Sequence, residues 1–252
     1  MKFYTWLLLT TLMCVSACEE SQLPILDHDS INLDSVRLDT FIINNYYYDA
    51  KLLYSVEIYQ DSTHFNRNNP IIDTSEITKI LKIIQTVYNL NSPESEIVFK
   101  TYKIHARLCT SFNSIYLKVQ TNLPEIMNLS NGIIPTGNQQ LDRLLDTYKF
   151  DSVRTFHSYP NFPWLTIFSK GEYNLLPIVS KFNKVPSIIL TDWENGPCIG
   201  DGNTISLTRF KDYAQIIFSI GDGDCPAGCI YHKYWEFQAK DNKAIFMRIF
   251  ED

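Results

Sequence analysis

The sequence predicts an α+β fold, an antiparallel sheet with helices on one face and a C-terminal β-hairpin. Three observations carry the prediction. Apolar residues recur at helical spacing over 77–88, two further amphipathic helices interleave with short strands in the second half, and the last stretch reads as strands alone. With 45% hydrophobic and 13% aromatic residues, the chain can bury a sizeable core and does not have the composition of a disordered one.

The elements follow in order. Residues 36–60 are rich in Tyr, Ile, Leu and Val, with Tyr46-Tyr47-Tyr48 and the alternating Leu53, Ser55, Glu57 and Tyr59, a pattern that predicts strands. Asp73 and Glu76 have capping-box spacing ahead of Ile77, Ile80, Leu81, Ile84, Val87 and Tyr88, which predicts a helix that Asn91-Ser92-Pro93 ends. Strands are then expected at 96–108 and 114–121, around Cys109-Thr110-Ser111.

In the second half, Asn138 or Thr136 caps a helix that carries Leu141, Leu144, Leu145 and Tyr148 on one face. Strands at 152–158 and 164–169 flank a turn marked by Pro160 and Pro163. A short helix with Leu175, Ile178, Val179 and Phe182 follows, Pro177 being tolerable in its first turn, and then a strand at 187–193. This α-β-β-α-β order resembles ferredoxin-like sandwiches. Tyr213 to Ser219 has the apolar density of a buried strand, and 231–239 with 244–250 predict a hairpin across Lys240-Asp241-Asn242-Lys243, Phe246 and Ile249 packing.

The N-terminus divides from this body. Lys2 precedes an apolar run from Phe3 to Val15, of the length of a secretory leader and short of the roughly 20 residues that span a bilayer. The run ends in Val15-Ser16-Ala17-Cys18, which resembles the lipobox of bacterial lipoproteins; the resemblance implies cleavage after residue 17 and acylation of Cys18. From Glu19 to Val36 come the acids Glu19, Glu20, Asp27, Asp29 and Asp34 with no Lys or Arg, the composition of a solvated tether. Acids directly after the cysteine also resemble a surface-export signal of one group of Gram-negative bacteria. The expected organisation is a signal peptide at 1–17, a lipidated tether at 18–36, an N-terminal α+β region at 37–122 and a C-terminal α+β region at 123–252.

Cys14 leaves with the leader and Cys18 takes the lipid, so four cysteines remain, Cys109, Cys198, Cys225 and Cys229. In an oxidising compartment an even set argues for two disulfides, with three possible connectivities. Cys225 and Cys229 can meet across a turn, which leaves Cys109 to pair with Cys198. On chain-entropy grounds the long loop contributes about 4.6 kcal/mol and the short one about 2 kcal/mol.

The most distinctive stretch is Gly221-Asp222-Gly223-Asp224-Cys225-Pro226-Ala227-Gly228-Cys229. It resembles the Gly-Asp-Cys-Pro-x-Gly-Cys signature of a family of secreted bacterial proteins with no settled activity, although Asp222 stands where those proteins often carry tryptophan. Rival readings of the stretch are a metal site with His232 and a redox thiol pair, whose spacing here is one residue longer than in thioredoxin-like motifs. Gly200-Asp201-Gly202-Asn203 and Gly221 to Asp224 carry calcium-type oxygens without EF-hand spacing, and turn chemistry accounts for both.

No nucleophile elbow, zinc-protease helix or glycine-rich phosphate loop occurs. His28, His64, His105, His157 and His232 are isolated along the chain and read as structural or surface residues. Asp-Ser/Thr sequences at 29–31, 34–36, 61–63 and 151–153 resemble a Gram-negative O-glycosylation code. The net charge of −6, which becomes −7 once Lys2 leaves, repels nucleic acid and anionic lipid.

The expectation is therefore an outer-membrane, surface-facing lipoprotein, the periplasmic face being the alternative. Its body is read as non-catalytic, binding an envelope partner or serving structure, with no cofactor and no metal. The other readings are a protease-inhibitor or propeptide-like module, on the likeness of 138–193 to the prodomains of secreted serine proteases, and a thiol- or metal-dependent enzyme.

Overall fold

A computed structural model describes residues 31–156, 164–195, 198, 202–223, 225 and 227–252. The leader, Cys18, His28 and His157 lie outside them. The described chain is α+β, with six helices and two four-stranded antiparallel sheets.

The stretch expected as strands at 36–60 is instead a single helix, α1 (Thr40–Gln60). Asp39 caps it, its carboxylate accepting from the Phe41 N–H at 2.6 Å. Ile42, Tyr46, Ala50, Leu53, Tyr54 and Ile58 are buried at intervals of three and four, so the helical repeat prevails over the short alternation near its end. Helix α2 (Thr74–Tyr88) stands where its repeat placed it, with Asp73 as cap. The Glu76 carboxylate, expected to close a capping box, turns inward to Arg209.

Residues 96–108, also expected as a strand, begin in α3 (Pro93–Glu96) and a π-turn over Ile97–Thr101. Ser92 accepts from the Ser95 N–H and Pro93 starts the helix, while Val98, Phe99 and Ile104 are buried.

The first sheet contains β1 (Ser114–Val119), β2 (Phe150–Phe156), β3 (Trp164–Ser169) and β4 (Ile188–Asp192) in the order β2-β3-β1-β4. Helices α4 (Pro124–Ser130), α5 (Gln139–Thr147) and α6 (Leu176–Phe182) supply Leu129, Leu141, Leu145 and Phe182 to a core shared with Ile115, Leu117 and Ile167 of the strands. The alternation along β1 explains the single covered face, because Ile115, Leu117 and Val119 are buried while Tyr116 and Lys118 between them are not. Helix α4, absent from the sequence reading, starts at Pro124, and Asn138 caps α5 with its side-chain oxygen on two backbone N–H groups.

The second sheet is a meander of β5 (Thr204–Arg209), β6 (Ala214–Asp222), β7 (Tyr231–Lys240) and β8 (Lys243–Glu251). Strand β5 was not anticipated; β7 and β8 form the expected hairpin. Asp241 and Asn242 take φ of 47° and 65° at its tip, the left-handed pair that a two-residue turn requires. Ile216, Phe218, Trp235 and Phe237 face α1 and α2 and join one core with Tyr46, Leu53, Ile80 and Ile84.

The described residues build two main cores. Residues 205–246 share a core with 42–104, while 115–188 form the other. Leu33 and Val36, at the end of the expected tether, pack on Ile83, Ala214 and Ala239, because an apolar pair there finds an apolar seam. Asn174 links the two bodies, its amide donating to the carbonyls of Asn66, Arg67 and Asn69 at 2.9–3.3 Å.

Candidate functional site

The residues that chemistry would use converge at one end of the second sheet, where the segment after the π-turn crosses the loops flanking β5 and β6. Cys109 is bonded to Cys198, 89 residues away, and Cys225 to Cys229. Gly221 sits against the second disulfide: a Cβ there would lie 2.4 Å from Sγ of Cys229 and 3.3 Å from Cα of Gly202. Only glycine lets these loops approach so closely. The Gly221 N–H donates to Oδ1 of Asn203 at 3.3 Å, and the Arg107 N–H to Oγ1 of Thr204 at 3.0 Å, so both Gly-Asp loops and the 105–109 segment are tied together.

A buried carboxylate stands behind this segment. Asp49 of α1 accepts from the Ala106 N–H with one oxygen, at 2.5 Å, and meets Nδ1 of His105 with the other at 2.8 Å. The Asp49 side chain is 5% exposed and that of His105 48%, so the acid is sheltered and the imidazole faces outward. The ring lies on Tyr46, centroids 4.8 Å apart and planes 22° from parallel. The hydrogen bond to Asp49 raises the His105 pKa above 6.5; burial opposes this, and the carboxylate charge adds to it. Such a pair holds one tautomer and orients the outer nitrogen as an acid-base group. No described hydroxyl or thiol bonds that outer nitrogen, so the pair stands without an attached nucleophile.

A second polar cluster is closed to solvent. Arg209, with 1% of its side chain exposed, donates from Nε and Nη2 to Glu57 at 2.8 and 2.5 Å and from Nη1 to Glu76 at 2.7 Å. Lys79 meets the other oxygen of Glu76 at 2.8 Å. Seated between α1, α2 and β5, the cluster joins elements and offers no opening to a substrate.

The remaining candidates separate. His232 lies beside Asp252 at 3.3 Å and stacks on Tyr234, while the two sulfurs it was grouped with are bonded to each other. His64 is buried and accepts the Asn66 N–H on Nδ1. Asp222 accepts from the Gly223 N–H, as turn chemistry predicts, and Asp201 and Asp224 lie outside the described residues. Among the described residues no three His, Cys, Asp or Glu side chains are placed to hold a metal ion.

The Asp49–His105 pair had no local signal, since its members stand 56 residues apart on segments read as strands. No protein-family model matches the chain, and no curated protein and no solved structure resembles it at a significant level.

Proposed function

We propose that this chain is a cell-envelope lipoprotein, held at the outer membrane by lipid on Cys18 and facing the cell surface, whose α+β body binds an envelope partner or serves structure without catalysis. The carrying observation is Val15-Ser16-Ala17-Cys18 at the end of an apolar leader. Support comes from the four cysteines of the body, all joined in disulfides, as suits an oxidising compartment. No helix among the described residues is long and apolar enough to cross a membrane. Two or three acyl chains hold a protein firmly, where one is marginal. Cells fed radiolabelled palmitate should label the product, and Cys18→Ala should move it from the membrane to the soluble fraction. An unlabelled product, or one that stays membrane-bound after the substitution, overturns the reading.

A protease-inhibitor or propeptide-like role is favoured by one observation. The order β2-β3-β1-β4, with helices after β1 and β3, is the connectivity of a ferredoxin-like sandwich, and we read residues 114–192 in that way. Titration against bacterial serine and cysteine proteases tests it, and no inhibition at micromolar concentrations removes it.

A further inference from the structure

We propose that the end of the first sheet carrying the α4–α5 loop and the α5–α6 groove docks on a bilayer that bears anionic phosphoryl headgroups. This contact is separate from any lipid on Cys18. Between α5 and α6 an open groove of about 340 Å³ is lined by Gln139, Gln140, Arg143, Leu144, Lys181 and Lys184. Three cations and no carboxylate line it, on a chain whose net charge is −6. Lys181 is steadied by the Tyr148 hydroxyl at 2.5 Å, whereas the side chains of Arg143 and Lys184 pair with no described residue and stand exposed.

The nearby acids are already engaged. Asp142 accepts from the backbone N–H groups of Thr136 and Gly137 and from the Thr136 hydroxyl, Glu125 accepts from Asn138, and Asp146 meets Lys149. Arg143, Lys181, Lys184 and Lys149 outnumber the carboxylates of Glu125, Asp142 and Asp146 by one, so the local charge is positive where that of the whole chain is −6. An acidic body repels anionic lipid on average, yet charge beyond a Debye length of about 8 Å is screened, so the local sign decides contact.

Apolar side chains are exposed on α4 and on the loop that leads into α5. Met127, Ile133 and Ile134 are exposed by 55%, 52% and 37%. Hydrogen bonds fasten them to the basic end: Asn128 donates to the Thr136 carbonyl at 2.9 Å, the Ile133 N–H to the Asn128 carbonyl at 2.9 Å, and Gln140 to the Lys184 carbonyl at 3.2 Å. Exposed aliphatics on the loop that leads into a cationic groove supply both parts of an interfacial surface, the first entering the acyl boundary and the second taking the phosphoryl oxygens.

The test uses residues 19–252, which contain the whole described fold and no Cys18, so its outcome is independent of acylation. Co-sedimentation should occur with vesicles of phosphatidylcholine mixed with phosphatidylglycerol, fall with added salt, and be absent with phosphatidylcholine alone. Each of Arg143→Gln and Lys184→Gln should weaken binding about five-fold. Ile133→Asp should weaken it further, with circular dichroism unchanged in all three variants. Equal sedimentation with neutral vesicles, none with anionic ones, binding of inorganic phosphate only, or variants that bind as the parent does would each overturn the proposal.

Discussion

The two sheets solve the same problem with opposite economies of chain. The first is covered by α4, α5 and α6, each lying between its own strands, and the buried residues of its core fall within 115–188. The second is covered by α1 and α2, more than a hundred residues upstream of the strands they pack on. A sheet whose cover arrives from so far along the chain carries a larger closure cost before contacts form. That body also holds a long-range link, the Arg209 cluster that joins β5 to α1 and α2, whereas Cys109–Cys198 closes a loop that contains all four strands of the first sheet. The first sheet has no counterpart to the Arg209 cluster among its described residues. The lesson is that distant covers come with distant fasteners.

The sharpest way to break this contrast is Arg209→Met. It removes the guanidinium from buried Glu57 and Glu76, the second keeping Lys79, and should cost about 3–5 kcal/mol in denaturant unfolding. Hydrogen exchange should then show protection falling first in α1, α2 and the second sheet; equal loss in both sheets would erase the contrast.

Next in size, Cys109→Ser with Cys198→Ser should cost about 2–5 kcal/mol, and Cys225→Ser with Cys229→Ser about 2 kcal/mol. If the short loop proves the costlier to lose, chain closure is not what the long disulfide supplies. Asn174→Ala removes the donor shared by three carbonyls at the junction and should cost about 1–3 kcal/mol. An effect confined to one sheet would show that this junction does not couple the bodies.

The smallest effect is a titration. The bond to Asp49 raises the folded-state pKa of His105 above its unfolded value near 6.5. The resulting stability is fully present below that pH and fades as pH rises through the folded value. Asp49→Asn should bring the imidazole titration, followed by proton NMR, back toward 6.5 and remove that pH dependence. An unmoved titration would show that Asp49 does not set it.

Legibility followed the same division. Leu141, Leu144, Leu145 and Tyr148 mark α5 because that helix has one wet face and one dry, and β3 stood where the sequence placed it. Helix α1 was misread because its buried positions include Asp49, Lys51, Ser55 and Glu57 as well as apolar ones, so burial ran round the helix and blurred the repeat. Ile97-Val98-Phe99 read as strand because β-branched and aromatic residues favour strands, yet tertiary burial bends them into a π-turn. At the candidate site, four-residue spacing and a Pro-Ala-Gly insert made Cys225–Cys229 readable. Asp49 and His105 meet only because α1 is a helix and the following segment folds back over it, which no local pattern encodes.

The seating of Leu33 and Val36 on Ile83, Ala214 and Ala239 sets the length of a leash. Only the residues between Cys18 and Ile31 are left to span the distance, and fully stretched they reach about 45 Å. With Cys18 acylated as proposed, the body would work within one body-width of its membrane, so whatever it grips must come to the lipid surface rather than be fished from beyond it.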